Sequence, residues 1–500
     1  MASYTRATTT AWPPNPMIYE INTWVWLQTL SEASGTAVTL DSVPDRAWDD
    51  LAEIGMDAVW LMGVWERSPA GREIALENPN FQRSFIEALP GYQPEDISGS
   101  PYCVRQYQVD PALGGPKGLQ KARQALEERG LRLILDYVPN HVAPDHPWTE
   151  RHPEFFIRGS DADLATDSAS FVRVGDAVLA CGRDPFFPAW PDVVQLNAFE
   201  PRLRQATIAT LRDIASQCDG VRCDMSMLLI NSIFADTWGE RAGNRPELEF
   251  WREVIPAVKE TAPEFRFIAE AYWDLEWELQ QQGFDYCYDK LLYDRLVHDD
   301  ATAVRGHLWA DMEYQRKLLR FIENHDEPRA AATFAPGQLE AATVVETTLP
   351  GGCLIYDGQR DARRVRLPVL LGRQPDEPDD PVFRDFTGRL LLAIQTTGMR
   401  NGDWKLCATS GWPDNQRHNQ LLAWTWKGQS RRSLVVVNYA SEPAQGIVHL
   451  SWDDISGAHW TLTDRMSDAV YERDGHELDT EGLYVELAGW GHHVLQFSRV

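Results

Sequence analysis

The chain has 500 residues, too many for a small module and enough for two or three domains or one large barrel with an appendage. Its 47 basic and 74 acidic side chains leave a formal charge of -27, so a nucleic acid would meet repulsion instead of counterion release and is excluded as a partner. With 43% hydrophobic and 24% charged residues, the composition is that of a globular protein with a large core, which excludes disorder for the bulk of the chain.

Aromatic content is the unusual entry in the composition: 20 Trp, 15 Tyr and 18 Phe, flat amphipathic rings that suit sugar ligands as well as core packing. The opening Met1–Pro16 has no apolar run of the length a signal peptide or anchor needs, and no stretch approaches a membrane span. No membrane association is expected. Cys103, Cys181, Cys218, Cys223, Cys287, Cys353 and Cys407 are scattered and lack CxxC spacing. They read as reduced thiols of a cytoplasmic protein, forming neither a zinc site nor a disulfide framework.

In chain order, the first expected strand is Met17–Asn22, followed by a helix around Pro44 to Ile54 and a strand at Asp57–Met62. A long polar loop runs to about Pro116. The helix Lys117–Arg129 places Leu119, Ala122 and Leu126 on one face, with Gly130 where a C-terminal cap belongs, and delivers the chain into a strand at Leu131–Leu135. Further buried strands are expected at Gly220–Cys223, Arg266–Ala269, Phe284–Tyr286, Leu318–Ile322 and Gly352–Tyr356. Strands alternating with amphipathic helices indicate a parallel sheet, and eight of them close most naturally into a (β/α)8 TIM barrel whose site lies at the strand ends.

This α/β barrel is assigned residues 1–141 and 197–413. Residues 142–196, rich in Asp, Pro and aromatics, form a small inserted domain after the third strand. From about Asp414 the strands Leu434–Asn438, Ile447–Trp452 and His493–Phe497 follow one another without helices, so residues 414–500 are expected to form an antiparallel β-sandwich.

Four segments put an acid just after a strand: Asp136 in LDYVPNH, Asp224 in GVRCDM, Glu270 in FIAEAYW and Asp326 in FIENHDEPR. Any one of them could be a helix cap or turn residue. Together, brought to one barrel rim, they offer glycoside chemistry: retaining cleavage needs one carboxylate as nucleophile and a second carboxyl, held protonated, to donate to the leaving oxygen. Asp224 and Glu270 are the candidates. Arg222 lies two residues before Asp224, on the same side of the strand, where a guanidinium can hold that carboxylate ionised. Glu270 follows an apolar run and precedes Tyr272 and Trp273, surroundings that raise a carboxyl pKa.

At these four segments, in this order, the sequence resembles the alpha-amylase family of glycoside hydrolases, and the resemblance extends over most of the chain. It implies Asp224 as nucleophile, Glu270 as general acid/base, and Asp326 as a third carboxylate that binds sugar hydroxyls. It also implies that Arg222, His141 and His325 line the subsite of the cleaved glucosyl residue, with Asp136 supporting its hydrogen-bond network. SPYCVRQY resembles the segment whose aromatic ring stacks on that sugar, which assigns Tyr102, although a core tyrosine fits equally. WPDVVQLN, ending at Asn197, resembles a segment near the end of the inserted domain that varies with linkage preference.

Two features depart from the pattern. Where many starch-degrading members carry a Lys-His pair, this chain has Met227 and Leu228, which puts endo-acting starch cleavage in doubt. The chemistry needs no cofactor, while Asn140 matches a position that binds structural calcium in many relatives, so calcium there is possible; a turn residue is the equal alternative.

The reading is a retaining α-glycosidase acting on oligosaccharides or α-glucans. Its alternatives are an α-glucosyl transferase or phosphorylase-like enzyme using the same intermediate, and a non-catalytic carbohydrate-binding relative, which would be expected to lose a central acid. A magnesium-dependent lyase could also line a rim with acids but has no need of Arg222 beside one of them. His298, His307, His418, His492 and His493 are expected to be surface or core residues. Of Trp24, Trp26, Trp60, Trp65 and Trp273, one or two should face the cleft.

Overall fold

A computed structural model describes residues 11–429 and 431–500, so the Met1–Pro16 reading lies outside the described residues for its first ten positions. Eight parallel strands close into a barrel: β1 Met17–Asn22, β2 Ala58–Met62, β3 Arg132–Tyr137, β4 Gly220–Cys223, β5 Arg266–Ala269, β6 Tyr286–Tyr288, β7 Leu318–Arg320 and β8 Gly352–Tyr356. β6 lies two residues later than expected, and β3 extends to Tyr137 so that Asp136 is within the strand. β7 stops at Arg320 instead of Ile322.

Side chains alternate across each strand, and the inward series fills the barrel. Ile18, Ala58, Trp60, Ile134, Ile268, Tyr286, Tyr288, Leu319 and Leu354 form one buried cluster. The outward series, including Tyr19, Ile21, Val59, Leu61, Leu133, Leu135, Val221, Cys223, Phe267 and Ala269, packs against the surrounding helices. Continuing the inward series toward the strand ends leads from Ile18 to Glu20, from Ala58 to Trp60, from Ile134 to Asp136, from Gly220 to Arg222 and Asp224, and from Ile268 to Glu270. Period-two alternation therefore converts the C-terminal rim of an apolar core into a polar floor.

The segment between β2 and β3 contains a hairpin (Trp65–Arg67 with Val104–Val109) and two helices, Pro69–Glu77 and Pro79–Ala88, which the polar composition hid. It is tied to the segment after β8: Ser98 N donates to Leu370 O (2.9 Å), Gly372 N donates to Asp96 O (2.7 Å), and Arg373 clasps the Asp96 carboxylate with two bonds of 2.9 Å. The insertion is a four-stranded antiparallel sheet built from His141–Val142, Trp190–Gln195, Ala177–Gly182 and Phe171–Val174.

At the C-terminus a six-stranded sheet begins with Asp403–Leu406, earlier than the textural change at Asp414, and a three-stranded sheet packs over it. The central strands of the six-stranded sheet are buried on both faces. Leu422, Trp424, Trp426, Val435 and Val437 face the helices Gln338–Thr348 and Pro381–Thr397, whereas Leu421, Ala423, Leu434 and Val436 face the smaller sheet. The expected strand Ile447–Trp452 lies at Ala444–His449; Trp452 is core, beyond the strand end. All seven cysteines are free and buried. Among the described residues no helix is long and apolar enough to cross a membrane.

Candidate active site

Arg222 is the centre of the polar floor. Strand register sets it directly beside Asp136 of β3 and Ile268 of β5. Its side chain is fully buried, and its Nη1 donates to Asp224 Oδ1 at 2.8 Å while Nη2 pairs with Glu270 Oε2 at 2.8 Å. Asp136 Oδ1 lies at 3.8 Å and Asp326 Oδ2 at 4.0 Å. The rings of Trp60, Tyr102 and Tyr288 surround the guanidinium with centroids 5.4, 5.1 and 5.7 Å from its carbon, so aromatic faces seat the cation where carboxylates do not. One planar fork thus holds the two proposed reacting carboxylates side by side.

Backbone hydrogen bonds place the acids just above the strands. Asp224 N donates to Tyr137 O (2.9 Å), and Glu270 N donates to Cys223 O (3.1 Å), continuing the parallel ladder by one rung. The chain then turns at Met225, whose φ of 42° is left-handed, and this aims its N–H at Glu270 Oε2 (2.6 Å). Tyr272 Oη donates to the other oxygen, Glu270 Oε1 (3.1 Å). Burial of Glu270 raises its pKa to about 7 against the pull of Arg222, so near neutrality a substantial fraction is the protonated acid.

Asp326 has the opposite electrostatics. Burial pushes its carboxyl up, but the charge and hydrogen bond of His325 outweigh that and hold it at about 2. His325 Nε2 lies 2.9 Å from Asp326 Oδ2 and 2.6 Å from Tyr102 Oη, and its Nδ1 bonds Glu20 Oε1. Burial would lower the imidazole, yet Asp326 and Glu20 raise it to about 10, so it is a fixed cation. Asp326 and Glu327 backbone N–H groups donate to Asn324 Oδ1 (2.9 and 2.8 Å), which fixes the loop that carries the acid beyond β7.

Asp136 Oδ2 accepts from Trp60 Nε1 and from Gly63 N, both at 3.2 Å, whereas Oδ1 is buried with no hydrogen-bond partner. Gly63 needs its φ of 76°, and a Cβ there would meet Pro101 and Arg67 below 3.0 Å. Burial lifts Asp136 to about 6, opposed by Arg222. His141, in the first insertion strand, is buried, and burial lowers its pKa while the nearby Asp224 charge opposes that shift. Asn140 commits its side chain to Gln195: Oδ1 accepts from Gln195 Nε2 at 2.9 Å, and Nδ2 donates to Gln195 Oε1 at 3.2 Å. Among the described residues no group of three His, Cys, Asp or Glu could hold a metal ion.

The structure therefore brings Asp136, His141, Arg222, Asp224, Glu270, Asp326, His325 and Tyr102 to one rim. Trp60 and Trp65 are both fully buried, the first with its indole N–H on Asp136 Oδ2 (3.2 Å) and the second with its indole N–H on Asp136 O (2.7 Å). His307 is a core residue paired with Asp289 (3.0 Å). Sequence reasoning missed Glu20 and Tyr288. Glu20 had a signal, an acid inside the apolar run MIYEIN at an inward position.

Because Arg222 balances several buried carboxylates, Arg222→Met should cost about 3–5 kcal/mol of stability, the penalty for leaving buried charge unpaired. Urea unfolding of the variant measures it, and an unchanged midpoint would contradict the central place given to this guanidinium.

The eight-stranded parallel barrel thus carries a carboxylate cluster at its C-terminal rim, an insertion after β3 and an antiparallel domain behind. The family model for the alpha amylase catalytic domain matches residues 39–164, spanning β2, β3 and the start of the insertion. An alpha-amylase, MalA, from Haloarcula japonica is 24% identical over 441 residues, covering 87% of this chain and 56% of its own length. An alpha-1,4-glucan:maltose-1-phosphate maltosyltransferase from Bifidobacterium longum is 25% identical over 44% of this chain and 24% of its own. Among solved structures, the maltogenic alpha-amylase AmyB of Thermotoga neapolitana superposes with a TM-score of 0.68 at 19% identity, over 97% of this chain and 99% of that one. The chain is thus similar to alpha-amylases over most of its length, and it spans little more than half the length of the Haloarcula relative.

Proposed function

We propose that the chain is a retaining α-glycosidase that cleaves α-glucosidic bonds of oligosaccharides or α-glucans, and that it works in the cytoplasm, where its buried thiols stay reduced. The observation that carries this reading is the shared fork: Asp224 and Glu270 on adjacent nitrogens of Arg222, with Glu270 driven toward the protonated form by burial. Retaining chemistry wants such a pair about 5 to 5.5 Å apart.

In the first half-reaction Glu270 gives its proton to the glycosidic oxygen as the bond to the anomeric carbon breaks, and an Asp224 oxygen forms the ester to that carbon from the opposite face. Positive charge developing on the sugar ring is met by ionised Asp326. In the second half, Glu270, now a carboxylate, takes a proton from water as the water oxygen displaces Asp224. The protein returns to its starting protonation state and the product keeps the α configuration. Transfer to a sugar or phosphate differs only in the group that performs the second attack, and the maltosyltransferase likeness supports testing it. Incubation with α-glucans, disaccharides and glucosyl phosphates, with products resolved by chromatography, distinguishes the two. No product from any of them would contradict the reading.

Substrate length follows from the rim beside β1. The segments after β2 and β8, which flank β1, are joined by backbone pairing between Ile97 and Leu371 and by the Arg373–Asp96 clasp, and we propose that they wall that side of the site. A polymer threading past needs a groove open at both ends. Accordingly kcat/KM per cleavable bond should be higher on short α-glucosides than on soluble starch. A steep fall in starch viscosity with little reducing sugar released would refute this.

A further inference from the structure

Below the rim the inward positions of the barrel are apolar, and Glu20 departs from that series on β1, two residues after Ile18. Its side chain is fully buried. Among the described residues its carboxylate has one hydrogen-bonding partner, His325 Nδ1 on Oε1, while Oε2 is buried with no partner at all. A buried carboxylate so sparsely paired destabilises a fold relative to an apolar side chain of similar size, and departures of that kind concentrate where a site needs them.

The two ring nitrogens of His325 show what the charge does. Nδ1 faces the Glu20 carboxylate, and Nε2 faces the Asp326 carboxylate at 2.9 Å. Ionised carboxylates only accept hydrogen bonds, so both nitrogens must carry protons and the ring is an imidazolium held at both ends. A neutral imidazole would aim a lone pair at one of the two carboxylates, whichever tautomer it took. Tyr102 Oη, 2.6 Å from Nε2, then accepts from the same N–H. The ring is also packed in place: Trp60 meets it edge-on with centroids 5.5 Å apart, and the Tyr102 ring makes a tilted contact at 5.5 Å. Asp326 comes from a loop beyond β7 and depends on its bonds for orientation. Arg222 is 4.0 Å away and already engaged by Asp224 and Glu270, which leaves His325 as the cation that fixes it.

We propose that Glu20 is a positioning residue for the reaction: it keeps His325 doubly protonated and fixed, and through that ring keeps Asp326 ionised and aimed at the sugar. The proposal rests on the reading of Asp326 as the carboxylate that meets positive charge on the sugar ring. That charge develops only as the bond breaks, so the Glu20 carboxylate acts on the transition state and hardly on substrate binding.

Glu20→Gln keeps the shape and an acceptor for Nδ1–H but removes the charge. On maltotriose kcat should fall about 10- to 100-fold while KM changes by no more than about twofold. The pH profile separates positioning from packing. Glu20 from β1, Tyr102 from the segment after β2, Asp136 from β3 and Asp326 from its own loop face the imidazole, with Arg222 of β4 across Asp326 from it. In the wild type His325 keeps its charge up to about 10, so kcat/KM on α-glucosyl fluoride has no alkaline limb near neutrality. In Glu20→Gln the imidazole pKa falls; the cation is present below the new value and lost above it, so the fluoride profile should acquire an alkaline limb. A packing defect alone would lower the rate equally at every pH.

NMR of protein labelled with 15N-histidine reads the ring itself. Two downfield N–H protons that vanish in His325→Asn should persist in the wild type to about pH 9 and be lost at lower pH in Glu20→Gln. A single ring N–H in the wild type at neutral pH would overturn the proposal even if Glu20→Gln fails to fold, and so would a variant whose kcat and fluoride profile match the wild type. Wild-type protein that turns over neither maltotriose nor the fluoride would overturn the glycosidase reading instead, and the ring protons would still decide whether Glu20 fixes His325 as a cation.

Discussion

Asp224→Ala is expected to lower kcat by several orders of magnitude on every α-glucoside, with the circular dichroism spectrum and the cooperative unfolding transition retained. The carboxylate sits one residue past β4, held by Tyr137 O through its backbone N–H and by Arg222 through its side chain. Only the second contact is lost in the variant, and Arg222 keeps its ion pair with Glu270. The barrel is closed below the acid by backbone ladders that do not involve it. Steady-state kinetics on a short α-glucoside measure the loss; a variant retaining a tenth of the activity would remove Asp224 from the bond-forming role.

Glu270→Gln should be selective in its damage. Natural sugars leave only with a proton, so their turnover is expected to fall by about 100-fold or more, whereas α-glucosyl fluoride, whose leaving group needs no proton, should be far less affected in the first step. The same proton sets the pH profile. Glu270 titrates at about 7, so the active acid is present below that pH and is lost as pH rises through it, giving an alkaline fall in kcat/KM on natural sugars. Asp326, held at about 2, stays ionised across this range and contributes no competing step. Wild-type turnover of the fluoride should lack this alkaline limb, and in Glu270→Gln the residual activity on natural sugars should lack it too. Equal losses on both substrates, or a persistent limb, would assign the proton to another group.

Much of this architecture was legible because barrel strands are short apolar runs with fixed alternation. β1, β4, β5 and β8 lie at the residues expected from their apolar runs. β6 was displaced because FDYCY alternates equally well in either frame; in the fold Phe284 packs with Trp251 and Phe267 outside the barrel, and Asp285 is drawn to Lys259 and Phe267 N. The acids were legible because four of them come at or beyond the C-terminal ends of apolar runs. Their partners were less so. Glu20 reads as an interruption of an apolar strand until the barrel closes and brings β1 beside β8, with His325 reaching it from beyond β7. Phe186 and Phe187 look like core residues in a sequence, and only the turn in which Asp184 accepts from both their backbone N–H groups shows that they face outward.

The central claim is a covalent glucosyl-enzyme on Asp224 formed with Glu270 as acid. Incubation with a fluorinated α-glucosyl fluoride that forms this ester quickly and hydrolyses it slowly, followed by peptide mass spectrometry, tests it most directly. The account predicts a stoichiometric adduct on the peptide containing Arg222-Cys223-Asp224, absent in Asp224→Ala. An adduct on another residue, such as Asp136 or Asp326, or released sugar of inverted configuration with no adduct at all, would contradict it.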